Sequence, residues 1–489
     1  MFVFKCLFYL KNHFYLLCIV LYEYYPYTKE VLKIICDKQI KGVMQEMLEK
    51  IFKLKENNTN IKTEIIAGIT TFMTMAYVLV VQPGAIVGFG PEQYITDING
   101  VVITKSALLI MTALVSGLVT LLMAFYANLP FALSTGMGTN FMLGILVQSG
   151  ELSFGNIMVI VLISGIFFVL LSLLGIRDFI VKAIPANIKT SISVAIGFFI
   201  AYLGFKNSGI GNFQNGISLG DFTQAPVFLA VFGLILIAIL TVYHVPGALL
   251  IGIILITVMG IPLGVTTMPD RLFAAPDLSS VQSISFSFDF KNLFQASTFV
   301  LIFITFCGDF FSTLGTVLGV AQKSNLLDEN GDYPEIKRPF LVDAVGTCIG
   351  AFTGCTTITT FVESSAGVEA GGRTGLTSLT SGLMFFVAVL AAPLFLMIPD
   401  AATGPALIFV GYSMISSIGN IDFKNFVQAF GPFIMIVFTI FTGSIATGIS
   451  AGILADVAVK TFASAAQEVK VHPAMYVLSI PLVLYFILN

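Results

Sequence analysis

Tryptophan is absent from the 489 residues, histidine occurs three times, and charged side chains make up only 10% of the chain. A soluble domain carries roughly 25% charged residues, so this chain cannot clothe a water-facing surface. His13, His244 and His472 lie far apart with no HExxH spacing, which removes the metalloenzyme reading. No P-loop is present, so ATP does not drive the chain by itself. Gly136-Met137-Gly138 lacks the later glycine and the βαβ setting of a dinucleotide fingerprint. Six cysteines are too few for a secreted disulfide scaffold. Cys6, Cys18 and Cys36 precede the body, while Cys307, Cys348 and Cys355 fall in apolar runs without CxxC spacing and read as small fillers. A net charge of −3 implies no charged macromolecular partner. No cofactor is expected.

What remains is apolar sequence: 57% of residues are hydrophobic and the mean hydropathy is +0.96. A helical crossing needs about 20 apolar residues. Runs near 64–84, 105–126, 130–148, 157–175, 188–206, 226–243 and 246–264 form one group of seven. A second group lies near 297–321, 339–354, 355–371, 375–397, 404–419, 427–443 and 444–464. The expected fold is an all-α polytopic membrane protein with fourteen transmembrane segments. The expected divisions are an extension (1–46), a first repeat (47–264), a connection (265–295), a second repeat (296–466) and a hydrophobic C-terminal segment (467–489), with the topology of 473–488 left open.

Orientation follows the basic residues. Lys50, Lys53, Lys55 and Lys62, then Arg177, Lys182 and Lys189, then Lys323, Lys337 and Arg338, then Lys460 and Lys470 fall on one side when both ends of the body are cytoplasmic. Residues 1–46 contain a lysine-interrupted apolar stretch without the cleavage site of a signal peptide. Met47 reads as the natural beginning, which makes the extension a mis-set translation start, the alternative being an extra anchor.

The two groups echo each other. Pro130 to Asn140 opens the third segment, and Thr359 to Glu369 occupies the tenth. Seven segments per copy make the copies inverted, as in many secondary transporters. Thr356 to Val362 is rich in β-branched residues that favour extended backbone, and the small residues Ser364 to Gly367 suit a helix start. Pro130 with Gly136 and Gly138 argues against an unbroken third helix. Unpaired backbone is costly in lipid, so two short strands that pair with each other, each leading into a half-helix, are expected. Small-residue helix-packing faces are the plainer alternative.

An ionisable group within the bilayer needs a reason. Asp309 lies in the eighth segment, Asp343 in the ninth, and Glu363 at the strand-to-helix break of the tenth. Glu363 and Asp309 are the candidates for proton coupling. Asp309, Ser312 and Thr316, at i, i+3 and i+7, form a polar stripe that reads as site or as packing glue. Asp343 reads as a brace for neighbouring backbone. Glu369 and Arg373, at i and i+4, read as a structural ion pair.

These residues also carry a resemblance. Gly68 to Tyr77, Thr135 to Asn140, Gly197 to Asn207, and especially Thr359 to Thr377 resemble the AzgA-like purine permeases of the nucleobase:cation symporter superfamily. The resemblance runs from about Met47 to the C-terminus. It implies a 7+7 inverted repeat with a core domain (segments 1–4 and 8–11) moving against a gate domain (5–7 and 12–14). It also implies proton-coupled uptake of adenine, guanine or hypoxanthine at the cell membrane. The family's binding positions fall on Asn140, the Asp309–Ser312 turn and Glu363, and Ser364 and Gly136 lie in the same two motifs. Ser312 stands where relatives commonly carry an acid.

The chemistry suits a purine. A carboxylate accepts ring N–H groups, an asparagine both donates and accepts, and Phe131 or Phe361 could stack. The expected partners are a purine, a coupling cation (H⁺ or Na⁺), the lipid bilayer and a second copy of the chain. The rival readings are an inorganic-anion carrier or a xanthine/uracil transporter of the same architecture. An integral-membrane enzyme lacks the nucleophile and base it would need.

Overall fold

The computed structural model describes residues 45–174, 185–213, 218–291, 293–323, 333, 335–467 and 471–488. Almost all of the expected extension, together with Arg177, Lys182 and Lys470, lies outside the described residues. Residues up to Lys62 form one compact unit, whose described part is a helix over 45–52 and a run of turns with left-handed Lys53 and Asn58. The membrane body is the unit from Thr63 onward.

The first half of the body runs α1 (Ile61–Met75), α2 (Val78–Val87), a hairpin of β1 (Tyr94–Thr96) and β2 (Val102–Thr104), then α3 (Lys105–Leu122). Thr104 starts α3 by accepting the Ala107 N–H at 3.0 Å. One wider turn (Met123–Ala127) follows, and Asn128 ends it with a left-handed φ of 54°. β3 (Leu133–Thr135) leads into α4 (Met137–Gln148), followed by α5 (Phe154–Leu174) and α6 (Ala186–Asn207). A small pair, β4 (Gly211–Asn212) and β5 (Ser218–Leu219), precedes α7 (Ala225–Val242) and α8 (Ala248–Gly260).

α9 (Leu278–Ile284) lies in the connection. The second half runs α10 (Ala296–Lys323), α11 (Lys337–Thr353), β6 (Ile358–Thr360), α12 (Ser364–Glu369), α13 (Gly375–Leu390), α14 (Ala392–Leu396) and α15 (Asp400–Ile415). It closes with α16 (Phe426–Thr442), α17 (Ile445–Gln467) and α18 (Pro473–Leu488). The apolar stretch at 473–488 is thus a helix, with Pro481 inside it.

Eight helices among the described residues are long and apolar enough to cross a membrane. Several of the fourteen expected runs fall short of that length for a physical reason: the third and tenth are part strand and part short helix. α8, α13 and α16 have only 13, 16 and 17 residues. α6 and α15 approach closely through small residues. A Cβ added at Gly197 would meet the Gly411 carbonyl oxygen at 2.8 Å, so a side chain here would force the two helices apart.

The feature that organises the centre is the antiparallel pairing of β3 with β6, in register Leu133↔Thr360, Ser134↔Thr359 and Thr135↔Ile358. All six residues are buried. Lys460 departs from its expected role as a loop cation: it lies in α17 and is 4% exposed.

Candidate substrate and coupling site

A two-stranded ribbon has two open edges, and buried edges must find partners. Threonines from the flanking helices supply them. Thr120 of α3 accepts the Leu133 N–H at 3.0 Å and donates to the Leu133 carbonyl at 3.2 Å. Thr347 of α11 stands in the same relation to Ile358, accepting its N–H at 3.1 Å with the Ile358 carbonyl also at 3.1 Å. The Ser116 and Ser134 hydroxyls meet at 2.7 Å. The ribbon is extended by Gly136 N–H donating to Thr357 O at 2.8 Å and Phe361 N–H to Ala132 O at 3.1 Å.

The sequence-predicted residues sort into two groups around this ribbon. Ser364 Oγ accepts the Ala132 N–H at 3.0 Å, which ties the start of α12 to the strand of the other half. Gly136 leaves room for Thr357: a Cβ there would meet Thr357 Oγ1 at 2.7 Å. Both positions build the crossing. Asn140, fully buried in the first turn of α4, accepts from the Thr356 hydroxyl, and its amide nitrogen has no partner among the described residues.

Glu363 immediately precedes α12 and does not cap it. Its carboxylate turns instead to α1–α2, where the Tyr77 hydroxyl donates to Oε1 at 2.7 Å. Tyr77 is 2% exposed, while Glu363 is only half-buried. Tyr77 escaped attention in the sequence because a lone tyrosine in an apolar segment is indistinguishable from packing. The break between α1 and α2 at Ala76-Tyr77 is what brings it here.

Asp309, Ser312 and Thr316 do not share one environment. Asp309 is 2% exposed and accepts from Thr347 at 2.7 Å, whereas Ser312 is exposed. Asp343 is fully buried and accepts from the Thr313 hydroxyl. Phe131 and Phe361 are buried in the core at 0% and 6% exposure.

A further acid went unremarked in the sequence. Glu64, 0% exposed, gathers the Arg373 N–H at 2.8 Å, the Thr374 hydroxyl at 2.9 Å, and both the N–H and hydroxyl of Thr377 at 3.1 and 2.7 Å. It binds α1 to the N-terminal turn of α13, where backbone N–H groups and the helix dipole favour a carboxylate. Arg373 directs its guanidinium to the Val368 and Gly372 carbonyls, each at 2.7 Å. No group of three metal-ligating side chains occurs among the described residues.

Comparison with known proteins gives a consistent result. The Permease family (Xan_ur_permease) matches residues 62–451. The guanine/hypoxanthine permease PbuO of Bacillus subtilis is 35% identical over 445 residues, covering 89% of this chain and 99% of that protein. The adenine permease AdeP of Escherichia coli is 33% identical over 413 residues, covering 84% and 89%. Among solved structures, the transmembrane domain of the cyanobacterial bicarbonate transporter BicA superposes with a TM-score of 0.55 at 15% identity, covering 81% of this chain and 97% of that one. At that identity the likeness speaks for the fold alone.

Proposed function

Because the chain belongs to the Xan_ur_permease family and is a transporter rather than an enzyme, we propose that it imports purine nucleobases, coupled to a cation gradient. Relatives named for adenine and for guanine/hypoxanthine favour the purine class over xanthine, uracil or inorganic anions. The proposed architecture is fourteen segments in two inverted sevens, with the core domain rocking against the gate domain. The third and tenth segments would be the strand–helix pairs β3–α4 and β6–α12. Both ends of the body would be cytoplasmic in the cell membrane, and the chain would pair with a second copy.

The observation that carries the reading is Glu363: a half-buried carboxylate at the break of a membrane segment, with one oxygen held by Tyr77. A held carboxylate can accept from the ring N–H groups of a purine in a fixed direction, which is how a polar site selects a heterocycle. The exposed Ser312 and the unpartnered amide of Asn140 are the groups that would read other edges of the ring. Gly136 and Ser364 would hold the crossing that positions them. Asp309 and Glu363 are the acids assigned to the coupling proton, whose binding together with purine would bias the rocking equilibrium.

Uptake of radiolabelled hypoxanthine, with adenine, guanine, xanthine, uracil and sulfate as competitors, tests the reading. Purines should compete, and uracil and sulfate should not. Glu363→Gln should reach the membrane in normal amount and lose at least about a hundredfold in uptake, the scale of a charge-assisted contact removed from a dry site. Full uptake by that variant would refute the site.

A further inference from the structure

A cavity of about 380 Å³ lies where the starts of α3, α7 and α15 meet α2. The proposed core contributes Leu79, Pro83 and Gly84 of α2, Gln93 of the following loop, and Lys105, the first residue of α3. The proposed gate contributes Pro226 of α7, Thr267, and Asp400 and Thr403 of α15. Phe395 of α14 and Ile398, on the stretch that leads from core to gate, also line it. None of the residues assigned above to purine or proton is among those that line it.

The core side is held in shape by its own contacts. Lys105 gives its backbone N–H to the Gln93 carbonyl and one ammonium N–H to the Gly90 carbonyl, both at 2.8 Å. Gly88 and Gly90 turn the chain with φ of 106° and 123°, a region that glycine enters freely. Phe89 between them stacks on Phe141 of α4 with ring centroids 6.1 Å apart. Its ring also lies against Gly84, where an added Cβ would come within 2.5 Å. The Gln148 amide holds the end of α2 through the Ala85 and Ile86 carbonyls at 2.9 and 3.2 Å. The shape on this side is therefore set before a ligand arrives, as in most small-molecule sites.

Such sites occupy about 300–1,000 Å³ and are mostly apolar, with a few polar groups that orient the ligand. This cavity has that size and that make-up: Gln93, Lys105, Thr267, Asp400 and Thr403 stand among aliphatic, proline and phenylalanine residues. Lys105 spends one of its three N–H groups on Gly90 and keeps two. A ligand of either net charge meets a like charge in this set, which disfavours it. A neutral ring that both donates and accepts finds a partner for each edge, and purine bases are such rings near neutral pH.

Place points the same way as chemistry. With both ends of the body cytoplasmic, the starts of α3, α7 and α15 face outside, so the cavity stands at the outer mouth of the seam between core and gate. Its link to the inner site is α2. Tyr77, which holds Glu363 at 2.7 Å, immediately precedes that helix, and Leu79, Pro83 and Gly84 further along it line the cavity. We propose that this cavity is a second, outer site for the purine, where a neutral base binds between core and gate before it reaches Glu363.

This inference rests on the reading of the chain as a purine importer, and its test separates the two. Thr267→Cys, at an exposed position, is introduced into the full chain with and without Glu363→Gln. Intact cells are treated with a membrane-impermeant maleimide, and the parent chain without the new cysteine gives the background. In both backgrounds, hypoxanthine at about ten times its half-protecting concentration slows labelling about tenfold, as mass action requires. Sulfate, which is charged, does not slow it. Lys105→Met raises the half-protecting concentration about tenfold, the scale of one lost bond to a charged group. The labelling rate without purine stays the same in that variant, which a mere change of shape would not allow. Gln93→Cys, exposed on the core side, gives the same pattern and decides the matter if Thr267→Cys is not produced.

Labelling that hypoxanthine leaves unchanged, in a chain whose wild type takes up hypoxanthine, overturns the outer site. So does protection that needs an intact Glu363, because the inner site then does the protecting. Equal protection by sulfate, an unchanged half-protecting concentration in Lys105→Met, or no labelling from outside at either cysteine also overturns it. A wild-type chain that takes up no hypoxanthine overturns the importer reading itself.

Discussion

Two of the buried charged clusters among the described residues are built on opposite principles. On α17, Asp456 and Lys460 are one helical turn apart, 1% and 4% exposed, and joined by a 2.8 Å ion pair. Asn187 of α6 completes that cluster: its amide donates to Asp456 at 3.0 Å and to the Gln428 carbonyl at 2.6 Å, and its oxygen accepts from Lys460 at 3.3 Å. Opposite charge and hydrogen bonds are supplied within the chain. Around Asp309 and Asp343 the described residues supply threonine hydroxyls and no paired cationic side chain. The first cluster locks helices together through opposite charge, whereas the second ties α10 to α11 through hydroxyls.

The comparison is sharpened most by breaking the compensated cluster. Lys460→Met strands Asp456 in the interior and should cost about 3–5 kcal/mol of stability. Lowered thermal stability of the detergent-solubilised protein would register it, and adding Asp456→Asn should restore most of the loss. A stable Lys460→Met protein would mean that the α17 pair is not what holds the helices. Asp343→Asn, which removes a buried charge with no cationic partner among the described residues, should run the opposite way and retain its thermal stability.

A smaller effect is expected at Tyr77. Tyr77→Phe removes one hydrogen bond to a carboxylate, worth about 1.5 kcal/mol, or roughly tenfold in the purine concentration for half-maximal uptake. An unchanged value would show that Glu363 needs no such holding. Ser312→Asp restores the acid common among the proteins this chain resembles, on an exposed face of α10. It should alter competition among purines by a few-fold and leave stability unchanged, as for an exposed substitution worth about 0.5 kcal/mol or less.

The smallest effect lies outside the membrane. Asp289 in the connection is nudged upward by partial burial, but the Lys291 N–H, Asn99 at 2.7 Å and Ser153 at 3.0 Å bring it below the ordinary carboxylate range. A depressed value means that the clasp is fully formed above the usual carboxylate pKa and is lost as pH falls through the lowered one. Hydrogen exchange in residues 97–101 and 153–156 should therefore accelerate in acid, and Asp289→Asn should abolish that dependence.

The contrast also marks what could be read in advance. The strand character of Thr356 to Thr360 and the break at Pro130 to Gly138 were legible, because β-branching, proline and glycine act locally. Glu363 was legible because an acid at a break in an apolar segment has few harmless explanations. Glu64 and Tyr77 were not, since their roles depend on partners some three hundred residues away in sequence. Lys460 was misread as a loop cation because charge alone does not reveal a buried partner one turn earlier. The i, i+3, i+7 stripe of α10 looked like one polar face, yet β6 and α11 cover Asp309 and leave Ser312 exposed.

Sequence by itself determined that the chain lives in lipid and where its segments must be interrupted, because hydrophobicity and backbone preference are properties of short stretches. Tertiary structure alone decided which acids are held by hydrogen bonds and which are balanced by a counter-charge. Electrostatic compensation depends on distance in space, and that distance is set only when both halves of the chain pack around the shared ribbon.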